Sequence, residues 1–151
     1  MTGPCLMINY FVSRFSNNSS FNDASFVVSY TDKVKNSPLP DPTVSVGVKS
    51  FTDQRVSPVY AEDDTTLLYN RIAKTRMCFN IYVPVRTKGL TAFDIFFRMC
   101  KYLMEEEKSF VVKGVGCTEI KFSRDEGALL LETWADVEET CIEQEENTVA
   151  E

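Results

Sequence analysis

The sequence predicts an α+β domain: a single, mainly antiparallel mixed β-sheet, two helices packed on one face, and a long arm or hairpin. Three observations lead there. A chain of 151 residues can bury roughly 68–70% of its unfolded surface without metal or disulfide staples. Apolar residues make up 44% of it and charged residues 25%, which is ordinary globular usage. Its periodic segments run helix, strand, strand, arm, strand, helix, strand, strand, so strands follow strands and an antiparallel sheet is expected.

Residues 4–16 carry Ile8, Phe11, Val12 and Phe15 at i, i+3, i+4 and i+7, one apolar helical stripe. Thr2 can cap this helix, Pro4 suits its first turn, and Asn17-Asn18-Ser19-Ser20 stops it. Residues 25–31 are β-branched and aromatic and read as a strand. The prolines at 38, 40 and 42 make residues 35–42 an extended connector. Residues 43–49 alternate strictly, with Val44, Val46 and Val48 on one face.

Residues 52–72 show no clean period and are expected to form the arm, with Tyr60, Leu67, Leu68 and Tyr69 as its adhesive side chains. Met77, Phe79, Ile81, Val83 and Val85 share one face of the next strand. Pro84 places the end of that strand at an edge or on its way out of the sheet. The main helix opens at Gly89-Leu90-Thr91, with Thr91 and Asp94 as a weak capping box and Leu90 with Ile95 as a hydrophobic staple. Ala92, Ile95, Phe96, Met99 and Leu103 form its buried stripe, and the helix ends near Met104. Residues 110–122 and 128–138 form a hairpin around Ser123–Gly127. In its last strand Leu129, Leu131, Thr133, Ala135 and Val137 face one way. Leu130, Glu132, Trp134 and Asp136 face the other, and the two large apolar residues among them make that face a contact surface. The domain is expected to span residues 1–141, followed by an acidic, flexible tail at 142–151.

The chain has no histidine, which removes Ser-His-Asp and Cys-His catalysis, histidine-ligated zinc and histidine proton relays. Its five cysteines are widely spaced with no Cys-x-x-Cys, so no zinc ribbon or redox pair is expected, and a reducing cytoplasm suits them. No signal peptide or membrane span is read in the sequence. Gly114-Val115-Gly116 lacks the following helix of a dinucleotide site. Asp63-Asp64 and Glu105-Glu106-Glu107 read as solvated acids, and nothing marks Asp94 with Asp136 or Glu119 as an acid–base couple. No cofactor, metal or catalytic residue is expected.

Charge is segregated along the chain. Residues 1–124 hold 16 Lys and Arg against 12 Asp and Glu, whereas residues 125–151 hold 10 acids and no base. No Lys/Arg cluster denser than Arg71, Lys74 and Arg76 occurs, which disfavours binding of free nucleic acid.

The stretch Lys35–Lys49, then Phe79–Val85, then Gly89–Phe96 and the final hairpin resemble the small tail-terminator or head–tail joining proteins of tailed phages and prophages, over roughly residues 5–138. The resemblance implies a non-enzymatic virion protein, made in the bacterial host cytoplasm. It would form a ring, often a hexamer, on the last disc of the tail tube. Its partners would be copies of itself, the major tail tube protein and neck proteins, with DNA passing through the lumen unbound. Tyr60, Leu67, Leu68, Tyr69, Leu130 and Trp134 are then candidate self-assembly residues. Glu132, Asp136, Glu138 and Glu139 are candidates for an acidic lumen that lets DNA slide. Another neck or tail-completion adaptor, and a small α+β binding module or cofactor-free enzyme, stand as the alternatives.

Overall fold

The structure is a computed structural model that describes residues 4–28, 41–55, 59–60, 67–87, 90–105, 110–124 and 127–145. Its elements are α1 (Pro4–Ser16), a 3-10 turn (Ser19–Phe21), β1 (Ser25–Val28), β2 (Thr43–Arg55), β3 (Val59–Tyr60), β4 (Leu67–Pro84), α2 (Leu90–Leu103), β5 (Val111–Cys117), β6 (Lys121–Ser123) and β7 (Ala128–Glu145). The strands form one sheet of order β1-β2-β4-β7-β5, with β3 added to β4 and β6 to β7. The β1–β2 pair is parallel and the other described pairs are antiparallel, so the sheet is mixed and mainly antiparallel. The fold is α+β, as the element order predicts.

β4 and β7 are the spine. They pair without interruption from Leu67↔Glu145 to Pro84↔Ala128, 18 residues each and about 60 Å long. On the face toward the helices, Met77, Phe79, Ile81 and Val83 of β4 are fully buried, as are Leu131, Ala135 and Val137 of β7. Val44 and Val46 of β2 extend that surface. α2 seals it with Ala92, Ile95, Phe96, Met99 and Leu103, the stripe its spacing predicts. α1 buries Met7, Phe11 and Phe15, so its inward stripe is i, i+4, i+8, with Ile8 and Val12 on the flank rather than at the centre. Phe15 is the hub of an aromatic layer. Its ring lies 5.1 Å from Phe26, 5.2 Å from Phe21, and 6.3 Å from Phe11 and Phe79. The buried Thr133 hydroxyl donates to the Phe79 carbonyl at 2.6 Å, so this polar group in the layer is satisfied.

Several boundaries differ from the sequence reading, and the differences share a cause. β2 continues to Arg55, β4 starts at Leu67 and β7 runs to Glu145, although alternation is clear only in residues 43–49, 77–85 and 128–138. Every residue from Lys49 to Arg55 is exposed, so that part of β2 lies outside the helix layer and never shows an apolar face. The described parts of the arm are thus a β-ribbon, residues 56–58 and 61–66 lying outside the described residues, and residues 142–145, expected as tail, pair with β4 from Leu67 to Asn70. Residues 146–151 lie outside the described residues, as do 29–31 of the expected first strand and 35–40 of the connector.

α2 begins at Leu90, so Thr91 is inside the helix and is not its cap. Leu90 is exposed while Ile95 is fully buried, so the expected staple does not form. Val85 leaves the sheet into a turn and is exposed, because Pro84 is the last residue of β4. Gly127 sits at φ +59°, the left-handed turn conformation the final hairpin needs. Among the described residues no helix is long and apolar enough to cross a membrane.

Replacing Phe15 by Ala should destabilise the fold by about 3–5 kcal/mol. Leu6→Ala on the exposed side of α1 should stay within about 0.5 kcal/mol. Urea unfolding of both variants checks the contrast.

Candidate functional site

The sheet face away from the helices carries the polar chemistry. Antiparallel register stacks its side chains in cross-strand rows. One row is Gly47, Cys78, Trp134 and Gly116; the next toward the arm is Ser50, Arg76, Asp136 and Gly114. On the other side lie Ser45, Asn80 and Glu132, then Thr43, Tyr82, Leu130 and Lys121.

Trp134 lies flat over Gly116. A Cβ built on that glycine would stand 2.5 Å from Trp134 Cζ2, which is why the position has no side chain. The Arg76 guanidinium covers the ring at 5.5 Å from the ring centroid. Arg76 is itself fixed by a two-pronged bond to Asp136, with Nε to Oδ1 at 2.7 Å and Nη2 to Oδ2 at 3.0 Å. Beside Trp134 the sheet dips into a shallow groove of about 530 Å³. Gly47, Cys78, Trp134, Lys49, Asn80 and Glu132 line it, together with Ile8, Val28 and Val48 toward β1 and α1. The Cys78 thiol donates to Asn80 Oδ1 at 3.1 Å, and burial pushes its pKa up, against the weaker pull of Lys49. The sulfur is therefore a protonated thiol at neutral pH, a packing group rather than a nucleophile. The groove offers an aromatic wall and fixed polar groups, the equipment of a contact surface.

The predicted residues are distributed as follows. Trp134 is half-buried on this face. Leu130 is 7% exposed, so it is covered within the chain rather than offered to a partner. It lies in register between Tyr82 and Lys121 and shares their face. Tyr60, Leu67, Leu68 and Tyr69 fall in β3 and the outer end of β4, with Tyr60↔Leu67 and Val59↔Leu68 in register; their side chains lie outside the described residues.

The four candidate lumen acids do not make one acidic surface. Glu132 is bonded to Lys121 at 2.8 Å, Asp136 to Arg76, and Glu138 lies 3.8 Å from Lys74 and 3.9 Å from Lys113. Glu139 points to the opposite, helix-side face and is 4% exposed. The physical reason is the fold itself: it lays the acidic last strand between the basic parts of β4, β5 and β6. Burial holds the Glu139 carboxyl above the usual carboxylate range, with the Arg71 charge pulling the other way. Asp94 and Asp136 stand on opposite sides of the sheet, so they form no couple, and Asp94 pairs with Arg98 at 3.2 Å. Among the described residues no three Cys, Asp or Glu side chains gather as metal ligands would.

One surface was missed from the sequence. Leu90, Phe93, Phe97 and Met104 are exposed on the outer side of α2, at 74%, 38%, 80% and 54%. The signal is in the chain: 90, 97 and 104 are seven residues apart, with Phe93 between them. It was hidden because Asp94, Arg98, Lys101 and Glu105 make the same side look uniformly polar.

No protein-family model matches this chain, and no curated protein sequence is significantly similar to it.

Gly116→Ala should displace the indole and destabilise the fold by about 1–3 kcal/mol. Trp134 is the single tryptophan, so a shift in intrinsic fluorescence emission reports the displacement directly. Glu139 has a raised folded-state pKa, so its contribution is intact at acid pH and is lost as pH rises through that value. Glu139→Gln should therefore be more stable than the native chain at neutral pH, with the difference vanishing below the ordinary glutamate range. Urea melts across pH 4–7 measure it.

Proposed function

We propose that this chain is a structural subunit of a tailed phage or prophage particle, which caps the tail tube as a ring and offers the face to which the head is joined. One observation carries the reading: the β2–β4–β7 ribbon. Three strands continue past the helix layer into a segment where Lys49–Arg55 are exposed throughout. An ordered ribbon whose β2 part is exposed throughout is the form of a contact arm, and a closed ring needs such an element to reach a different surface on its neighbour. The resemblance of the sequence to tail-terminator proteins points the same way.

The ring would sit on the last disc of the major tail tube protein and meet neck proteins on its other side. Such a subunit is a virion component and works by contact, without a cofactor. DNA passing through the lumen would be repelled by net negative charge, but Glu132, Asp136 and Glu138 lend this no support, since each has a cation beside it.

Deleting the gene from the phage or prophage should give tails of uncontrolled length with no heads attached, visible by negative-stain electron microscopy. Tails of normal length lying unattached would assign the chain to the neck instead. Normal, joined particles would remove it from the tail end altogether.

A further inference from the structure

α2 carries two separate apolar stripes, centred about 120° apart around its axis. The inner one, Ala92, Ile95, Phe96, Met99 and Leu103, is filled by the chain's own sheet. The outer one is Leu90, Phe93, Phe97 and Met104, with the half-buried Cys100 between the last two. At about 100° per residue these five positions fall within one narrow strip of the helix surface. Their spacing is that of alternate a and d positions over two heptads, the pattern with which one helix lies along another. Phe97, at 80% exposure, is the centre of the strip.

We infer that this strip is the contact of a two-fold dimer in which α2 of one copy lies antiparallel along α2 of a second copy. Charge chooses this occupant and this direction. Asp94 and Lys101 stand on the same flank of the strip, at equal distances from a point between Phe97 and Arg98. A two-fold axis through that point sets Asp94 of each copy against Lys101 of the other, twice, and brings the two Phe97 rings together. In a parallel pair in register this flank would face the Phe96 flank of the partner, so Asp94 would not meet Lys101. Asp94 keeps an exposed carboxylate although Arg98 touches it at 3.2 Å, and Lys101, whose ammonium lies over the ring of the half-buried Tyr102, is exposed as well.

The sheet edges are the other route by which one copy could join another, and two stretches of them are obstructed. Among the described residues, the side of β2 turned from β4, beyond Val46, and the side of β5 turned from β7 have no strand neighbour. Each carries a one-residue bulge, and the extra residue is a lysine in both: Lys49 between Val48 and Ser50, and Lys113 between Val112 and Gly114. A bulge and a lysine on an open edge are the devices that stop strands from adding to it. The helix strip has no such guard.

A 14-residue helix is about 21 Å long, and four exposed side chains along it cover less than the roughly 800 Å² per partner of a standard stable interface. The dimer is therefore a weak one, with a dissociation constant of about 0.1 mM. It stands apart from the tail-end reading, since purified chain tests the one and gene deletion the other.

The test is sedimentation velocity of the full chain over a series from about 1 µM to about 1 mM. The native chain should pass from monomer to dimer within that range. Phe97→Asp should stay monomeric throughout, with an unchanged thermal melt, because the side chain is not part of the core. Asp94→Lys and Lys101→Asp should each weaken dimerisation about three- to fivefold, and the double exchange Asp94→Lys with Lys101→Asp should restore it. A native chain monomeric at every concentration, a Phe97→Asp variant that dimerises like the native chain, or a double exchange no better than the single variants would each overturn the antiparallel pair.

Discussion

The uninterrupted pairing of β4 with β7 governs the rest of this structure, and its two halves are held by different forces. From Thr75 to Pro84, alternate β4 residues are buried under the helices, and the hydrophobic effect fixes both position and register. The ladder continues outward, and from Asn70 to Lys74 only Ala73 of β4 is buried. There it relies on backbone hydrogen bonds and on cross-strand ion pairs such as Asp53–Arg71 at 3.0 Å and Lys74–Glu138 at 3.8 Å. Exposed pairs of this kind stabilise by only about 0–1 kcal/mol each. The outer half is therefore an extension of a register set by the inner half, and an arm of this length exists because the core holds its base.

The helix layer is tied to that base by aromatic rings rather than by aliphatic packing alone. Phe11 and Phe15 of α1 reach Phe79 of β4 edge-on, at 5.5 and 6.3 Å, while Phe21 and Phe26 close the same cluster from the 3-10 turn and β1. Arg98 then links α2 to that turn through both Asp23 oxygens, at 2.8 and 3.3 Å, and lies over the Phe21 ring. The guanidinium holds the Asp23 carboxyl below its ordinary pKa. With both helices anchored at the same end of the sheet, the other end is left to the ribbon, and the side of α2 turned from the sheet is left to water.

Charge shows how far a linear pattern can mislead. The acids after Arg124 form a one-sign block in sequence, yet antiparallel folding interleaves β7 between β4 on one side and β5 and β6 on the other. Arg76 and Asp136 are 60 positions apart and make the best ion pair on the open face. The same rearrangement places Trp134 over Gly116 and beneath Arg76, a stacked and bonded group whose members look unrelated along the chain.

Much of the fold could be read from the residues, and for one reason: burial against a single face imprints a period on the sequence. The inner stripe of α2, the alternation Val44–Val46 and Met77–Val83, and the turn glycine at 127 each carry that imprint, and with them the α+β class and the element order. Where burial is absent, the imprint is absent. Hence the outer ends of β2, β4 and β7 were invisible, as was the second strip of α2, whose apolar residues are interleaved with charges that face the same water. The candidate surface was legible only in part. Alternation placed Trp134 on the open face of β7, but whether a neighbour is covered, as Leu130 is, or a carboxylate neutralised, as Glu132, Asp136 and Glu138 are, depends on strands far off in sequence. Local pattern determined which way side chains point; only the tertiary pairing decided what they meet there, because register across a sheet is set by the whole core and not by any one strand.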